Sequence, residues 1–163
     1  MLGVQAVAGE SDRWGRRGRE SVLNGSALVL VVDDEDDIRG FLESALENEG
    51  YEVVQAANGL EALHLLEAGA PELILLDMDM PVMDGREFAE AYRHSYNPQV
   101  PIVVMSARPS AARTAASIGA CCYLNKPFDL DELLQVANGI VRGGEAVAAG
   151  AGADVPKRRM GSE

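Results

Sequence analysis

Three carboxylates, a hydroxyl and one amine carry the most chemical information in this sequence. Asp33 and Asp34 follow one short apolar run, Asp77 follows another, Ser106 a third, and Asn125, Lys126 and Pro127 a fourth. Carboxylates brought together raise one another's pKa unless a cation relieves them. Ligands that offer only oxygen, with no His or Cys among them, select a hard ion. A few carboxylates completed by water suit Mg²⁺, or Mn²⁺ in its place. Each residue also has a plain explanation. Asp33, Asp34, Glu35, Asp36 and Asp37 are consecutive acids, and acids at a helix N-terminus are favourable with its dipole. Asp77 could simply end a strand, and Lys126-Pro127 could be a turn with a solvated lysine. A helix start does not account for an acid after one run and a lysine after another. The joint arrangement points to a site.

The elements that would position these residues can be read from the hydrophobic pattern. Five apolar runs recur, Leu28–Val32, Tyr51–Ala56, Leu73–Leu76, Ile102–Met105 and Cys121–Leu124. The first, third and fourth are continuous rather than alternating, as in parallel strands buried on both faces. Between them lie segments of helical period. Ile38, Phe41, Leu42, Ala45 and Leu46 form one stripe, and Leu130, Leu133, Leu134, Ala137, Ile140 and Val141 form another. Asp84 with Glu87, and Asp129 with Glu132, have the spacing of capping boxes. Gly50, Gly69 and Gly119 stand where the first, second and fourth helices should stop. Strand and helix alternate five times, which predicts a flavodoxin-like, doubly wound parallel sheet with helices on both faces. The five-stranded order 2-1-3-4-5 is expected, with ligands bound outside the carboxyl ends of the strands. The acids, Ser106 and Lys126 then converge at one rim.

Composition sets the boundaries. The chain has 163 residues, 47% hydrophobic and 25% charged, enough for one domain with flanking segments. Residues 1–25 and 143–163 are rich in Gly, Arg and Ala and carry little to bury, so both read as flexible extensions of a domain at 26–142. Their charges nearly cancel, and the domain itself holds 20 of the 26 acids but only 7 of the 14 basic residues. That balance argues against general phosphate-backbone binding. No apolar run approaches the roughly 18 residues of a membrane helix. The first basic residues follow the apolar start rather than precede it, the wrong order for a secretory signal. A cytoplasmic protein is expected. Cys121 and Cys122 are adjacent, which excludes a spaced disulfide framework or a metal ligand set; they read as small buried side chains in a reducing compartment. His64 and His94 fall on helices with no partner signature.

At this point the ordered set resembles a known family, the receiver domains of two-component response regulators. The resemblance runs through Val31-Val32-Asp33-Asp34, then Leu75-Leu76-Asp77-Met78-Asp79-Met80-Pro81-Val82-Met83-Asp84-Gly85. It continues with Val103-Val104-Met105-Ser106-Ala107 and Tyr123-Leu124-Asn125-Lys126-Pro127-Phe128. It implies that Asp77 is the phosphoacceptor. Mg²⁺ would be bound by Asp34, Asp77 and the main-chain carbonyl of Asp79, with Asp33 acting through water. Lys126 and Ser106 would contact the phosphoryl group, and Tyr123 would be a switch aromatic that turns inward when Ser106 moves. Asp79 and Arg108, two residues beyond Asp77 and Ser106, would flank the approach of hydrolytic water and modulate the lifetime of the phosphorylated state.

The implied activity is acceptance of a phosphoryl group from a histidine kinase or a histidine phosphotransfer protein. The implied output is a protein–protein surface on helix 4, strand 5 and helix 5, without direct nucleic-acid contact. The residues after helix 5 leave no room for a DNA-binding output domain within this sequence. The rival reading is a Mg²⁺-dependent phosphohydrolase with an aspartyl-phosphate intermediate, in which Asp79 would serve as general acid. No cap domain accompanies the pattern, and Lys126-Pro127 fits a receiver better.

Overall fold

Runs of Val, Leu and Ile with no polar alternation bury both faces only inside a layered α/β sheet, and that is where they lie. The computed structural model describes residues 25–95 and 100–142. Five strands are formed: β1 (Leu28–Val32), β2 (Glu52–Ala56), β3 (Leu73–Asp77), β4 (Ile102–Ser106) and β5 (Cys122–Asn125). They alternate with helices α1 (Asp36–Asn48), α2 (Gly59–Leu66), α3 (Gly85–Ser95), α4 (Ala111–Ile118) and α5 (Leu130–Val141). All strand pairs are parallel, in the order β2-β1-β3-β4-β5. The flavodoxin-like expectation is met. Of the flanking segments expected at 1–25 and 143–163, all but Gly25 lies outside the described residues.

The sheet divides the core in two. Leu28, Leu30 and Val32 of β1 point to the face covered by α2, α3 and α4, where Leu65, Phe88, Tyr92 and Ile118 pack. Val29 and Val31 point to the opposite face, covered by α1 and α5 through Leu42, Leu46, Leu133 and Val136. Burying each such side chain contributes roughly 1.5–3 kcal/mol, so the central strands are the most strongly held part of the molecule. Across the bottom, the Tyr51 hydroxyl pairs with Asn138, and Arg142 lies over the Tyr51 ring at 5.4 Å, tying α5 to the start of β2.

Several local expectations are corrected. Asp77, Ser106 and Asn125 end their strands rather than follow them, because Asp77 pairs with Met105 and Ser106 with Asn125 in register. Phe41 is 52% exposed; the buried face of α1 is centred on Leu42, Ala45 and Leu46, and position 41 falls at its edge. Gly50 and Gly119 adopt positive φ (93° and 74°), but Gly69 does not, and α2 ends three residues earlier. The Asp84 cap bonds the Glu87 amide at 2.9 Å as its spacing predicts. Asp129 instead bonds the Asp131 amide, while Glu132 Oε1 is buried with no partner, so that capping box does not close. Asn58 caps α2 through the Glu61 amide, a signal the sequence reading missed. Cys121 and Cys122 are half-buried rather than buried.

Candidate functional site

At the carboxyl end of the sheet the first strand to deliver chemistry is β1. Asp33 is completely buried just past its end, and its Oδ1 accepts the Glu35 amide at 2.9 Å, which turns the chain into α1. Asp34, next in sequence, is exposed. Arg39, one turn into α1, donates from Nη1 to the Asp33 carbonyl at 2.6 Å and from Nε to Gln55 on β2 at 3.1 Å; it also pairs with Asp36. Gln55 in turn donates to Glu43 at 2.7 Å. The loop that carries the two acids is therefore braced from α1 and from β2. Sequence reasoning missed Arg39 and Gln55. Their partnership exists only once β2 is known to lie beside β1.

Asp77 closes β3 on the next strand, 4% exposed, with Oδ1 accepting the Asp79 amide at 3.4 Å. Lys126 reaches over from the end of β5. Its ammonium stands 2.8 Å from Asp33 Oδ2 and 3.3 Å from Asp77 Oδ1, and its own amide is held by the Ser106 carbonyl at 2.8 Å. The Lys126-Pro127 peptide is cis. One ammonium thus faces two buried carboxylates and cannot neutralise both. Burial, then the charge of Asp33, pushes Asp77 up to about 6, against the opposing pull of Lys126 and the Asp79 amide. For Lys126 burial acts downward, but the hydrogen bond to Asp33 and the charges of Asp77 and Asp33 outweigh it, and the ammonium is held above its ordinary value. The pocket keeps an excess negative charge that a further cation would relieve.

Oxygen donors for such a cation are at hand. Asp33, Asp34 and Glu35 can bring one carboxylate oxygen each within 4.8 Å of one another, the one such acidic group among the described residues. Glu35 was not anticipated, and Asp77, expected among the ligands, stands outside that group. The donor set is hard and anionic throughout, and it fits a hard divalent ion.

The opposite side of the mouth is built by β4. Ser106, 2% exposed, accepts the Arg108 amide on Oγ at 3.1 Å, which leaves its single O–H to donate elsewhere. Arg108 grips Asp79 at both ends, Nη2 to Oδ1 at 2.9 Å and Nε to Oδ2 at 3.2 Å. Tyr123 is 7% exposed and lies inward, beside Val104 in register and within the cluster that includes Ala111, Ala115 and Ile118 of α4.

The loop after β3 is held tightly. Val82 has φ of 71° and is 72% exposed, with the Met83 amide bonded back to the Pro81 carbonyl at 2.7 Å. That is a γ-turn of the strained, positive-φ kind, and a β-branched residue there stores backbone energy. No sequence signal marks it, since Val is among the last residues a positive φ would select. A Cβ on Gly85 would stand 2.8 Å from the Asp77 carbonyl and 2.6 Å from Met78 Sδ, so only glycine lets α3 begin against the end of β3. The structure thus brings together Asp33, Asp77, Lys126 and Ser106, and sets Asp34, Asp79 and Arg108 at the mouth.

Known proteins share this fold. Residues 29–138 match the family described as Response regulator receiver domain. Transcriptional regulatory protein PrrA of Mycobacterium tuberculosis is 42% identical over 119 residues, covering 72% of this chain and 51% of PrrA. Among solved structures, Vibrio cholerae chemotaxis protein CheY4 superposes with a TM-score of 0.65 at 35% identity, over 71% of this chain and 98% of its own. The receiver domain of Francisella response regulator 1452 does so with 0.67 at 30%, over 72% and 98%. The chain spans about half the length of the curated relatives such as PrrA that it matches. Through residues 29–138, the chain belongs to the response regulator receiver domain family.

Proposed function

We propose that Asp77 is the phosphoacceptor and that the donor is the phosphohistidine of a histidine kinase or a histidine phosphotransfer protein. The observation that carries this is the buried Asp77 carboxylate, raised to about 6, within reach of one lysine and beside a second buried acid. At neutral pH it is mostly ionised and able to attack. An Asp77 oxygen forms a bond to phosphorus, the P–N bond breaks, and the imidazole leaves with the electron pair. Phosphoryl transfer depends on in-line placement and on neutralising oxygen charge. Lys126 supplies one fixed cation, and Ser106 supplies a hydroxyl that can donate to a phosphoryl oxygen. Asp34, Asp77 and the Asp79 carbonyl would hold Mg²⁺, with Asp33 acting through water. When bound, the ion would supply the second positive charge that this pocket lacks.

The reading as a turnover phosphohydrolase needs Asp79 free as a general acid. Here both its oxygens are engaged by Arg108, which favours a stored phosphoryl group over rapid hydrolysis. Storage would then be read by a protein partner on the face formed by α4, β5 and α5, where Tyr123 lies. Incubation with acetyl phosphate and Mg²⁺, followed by intact-mass measurement, should add one phosphate. Addition should be lost in Asp77→Asn and with a chelator. Equal labelling of the Asn variant would overturn the assignment.

A further inference from the structure

Successive side chains on a strand point to opposite faces, so two neighbouring cysteines within β5 would hold their thiols far apart. Here they do not. Cys121 lies in the bend just ahead of β5 and Cys122 is its first residue, and the two Sγ atoms are 3.7 Å apart. Cys121 is fixed to β4 twice through one carbonyl: its amide bonds Ile102 O at 2.9 Å and its thiol reaches the same oxygen at 3.3 Å. Cys122 is held in register opposite Val103. Both side chains are half-buried at the edge of the sheet, and they are the only two cysteines in the sequence.

A disulfide suits this pair poorly. Bonded sulfurs stand about 2.05 Å apart, and bridged residues usually have Cα atoms about 4.4–6.8 Å apart, whereas neighbours across a trans peptide are held at about 3.8 Å. A structural zinc site suits it no better. Such sites need four ligands, and among the described residues no His, Asp or Glu completes a set with these thiols. The hydrogen bond between the thiols, and then burial, hold Cys122 above the ordinary thiol range, so its thiol stays protonated at neutral pH. Divalent metals that need thiolates are disfavoured by that.

What remains is a centre that takes two thiols side by side and removes their protons as it binds. With bonds to sulfur of about 2.3 Å as the scale, two sulfurs on one pyramidal or tetrahedral centre stand roughly 3.3–3.8 Å apart, which brackets the observed separation. We propose that Cys121 and Cys122 form a preorganised dithiol site for a trivalent arsenical. In the reaction, the dihydroxy form of the arsenical condenses with both thiols. Two S–H and two As–O bonds break, two As–S bonds form, and two molecules of water leave. Arsenic stays trivalent, and no oxidant is needed. The chelate would clamp the residue immediately before Tyr123, at the end of β5 opposite the phosphoryl site.

Phenylarsine oxide on the full chain is the test. Intact mass should show one adduct per chain that survives an excess of a monothiol and is removed by a 1,2-dithiol. Cys121→Ser and Cys122→Ser should each weaken binding at least tenfold. The unmodified sequence supplies a second arm that needs no variant. A site preformed by the fold binds the native chain better than the unfolded one, so the reagent should raise Tm with increasing concentration. Absence of an adduct, retention of binding in either single variant, or a fall in Tm would overturn the proposal.

Discussion

Replacing Asp77 with Asn should stabilise the protein at neutral pH, and the gain should disappear in acid. Asp77 is 4% exposed, and burial with the adjacent Asp33 moves it from 3.8 to about 6. Folding therefore favours its protonated form. That contribution is complete below about 3.8 and is lost as pH rises through about 6. The ionised carboxylate at pH 8 then costs the native state up to about 3 kcal/mol, at 1.36 kcal/mol per unit. Solvent at the mouth and relaxation of Lys126 reduce that, so about 1–3 kcal/mol is the expected advantage of a neutral Asn. Lys126 keeps its 2.8 Å partner Asp33 in the variant, so no cation is orphaned.

Urea unfolding of both chains with a chelator present, from pH 4.5 to pH 8, reads the difference directly. With a slope of about 1–3 kcal/mol per molar urea, the midpoint of the variant should lie roughly 1 M higher at pH 8. The gap between the two curves should narrow to about a third of its pH 8 value by pH 4.5. An Asn variant no more stable at pH 8, or an advantage unchanged at pH 4.5, would refute the claim that excess negative charge is confined in this pocket.

The remaining expectations are shorter. Arg108→Ala should shorten the lifetime of phosphorylated protein by freeing Asp79 to act on water, and adding Asp79→Asn should restore part of it; strict additivity in the logarithm of the decay rate would show that the pair does not interact. Gly85→Ala should cost about 1–3 kcal/mol in chemical unfolding, because its Cβ would meet the Asp77 carbonyl at 2.8 Å, and phosphorylation by acetyl phosphate should slow as that carbonyl shifts. Val82→Gly should leave stability unchanged or raise it by up to about 1 kcal/mol, since relief of the 71° φ is partly offset by the freer unfolded chain, and little packing is lost at an exposed position.

What could be read from the sequence divides along the range of the interactions involved. Continuous apolar runs gave the strands, and the residues just after them gave the rim, because a buried parallel strand must be apolar until it emerges. Strand ends shifted by one residue at Asp77 and Ser106, since the last ladder pair depends on the neighbouring strand rather than on local polarity. Phe41 misled because its type says buried while the angular position on α1 says edge. The Asp79–Arg108 pair could be anticipated once the resemblance had placed both residues at the mouth, as they lie two residues past Asp77 and Ser106 on adjacent strands. The chain Arg39, Gln55, Glu43 was not, because each bond joins elements whose adjacency the local pattern does not encode. Cys121 and Cys122 were misjudged for a related reason: adjacency suggested inert burial, and only the bend ahead of β5 brings their thiols together.

The placement of unfavourable terms follows a logic of its own. The sheet is apolar through the middle, with every residue of β1, β3 and β4 buried. All of the local conflicts around the acids sit at its carboxyl end: two buried carboxylates against one lysine, a valine at positive φ, and a helix start that tolerates no Cβ. Two connections lead from that end into helices that cover one face. On β4, Ser106 holds the Arg108 amide, and Arg108 O accepts the Ala111 amide at the first residue of α4. After β3, the strained turn at Val82 positions the Met83 carbonyl, which accepts the Gly59 amide at the start of α2. A Cβ on Gly59 would meet Met83 Cγ at 2.7 Å and Phe88 Cβ at 2.9 Å, so that contact has no slack. A change of charge at Asp77 therefore meets tight packing in both directions. Close-packed neighbours respond by shifting between discrete arrangements rather than by yielding gradually. α1 and α5, on the opposite face, meet the site through the loops that carry Asp33 and Lys126, the first of which Arg39 braces from behind.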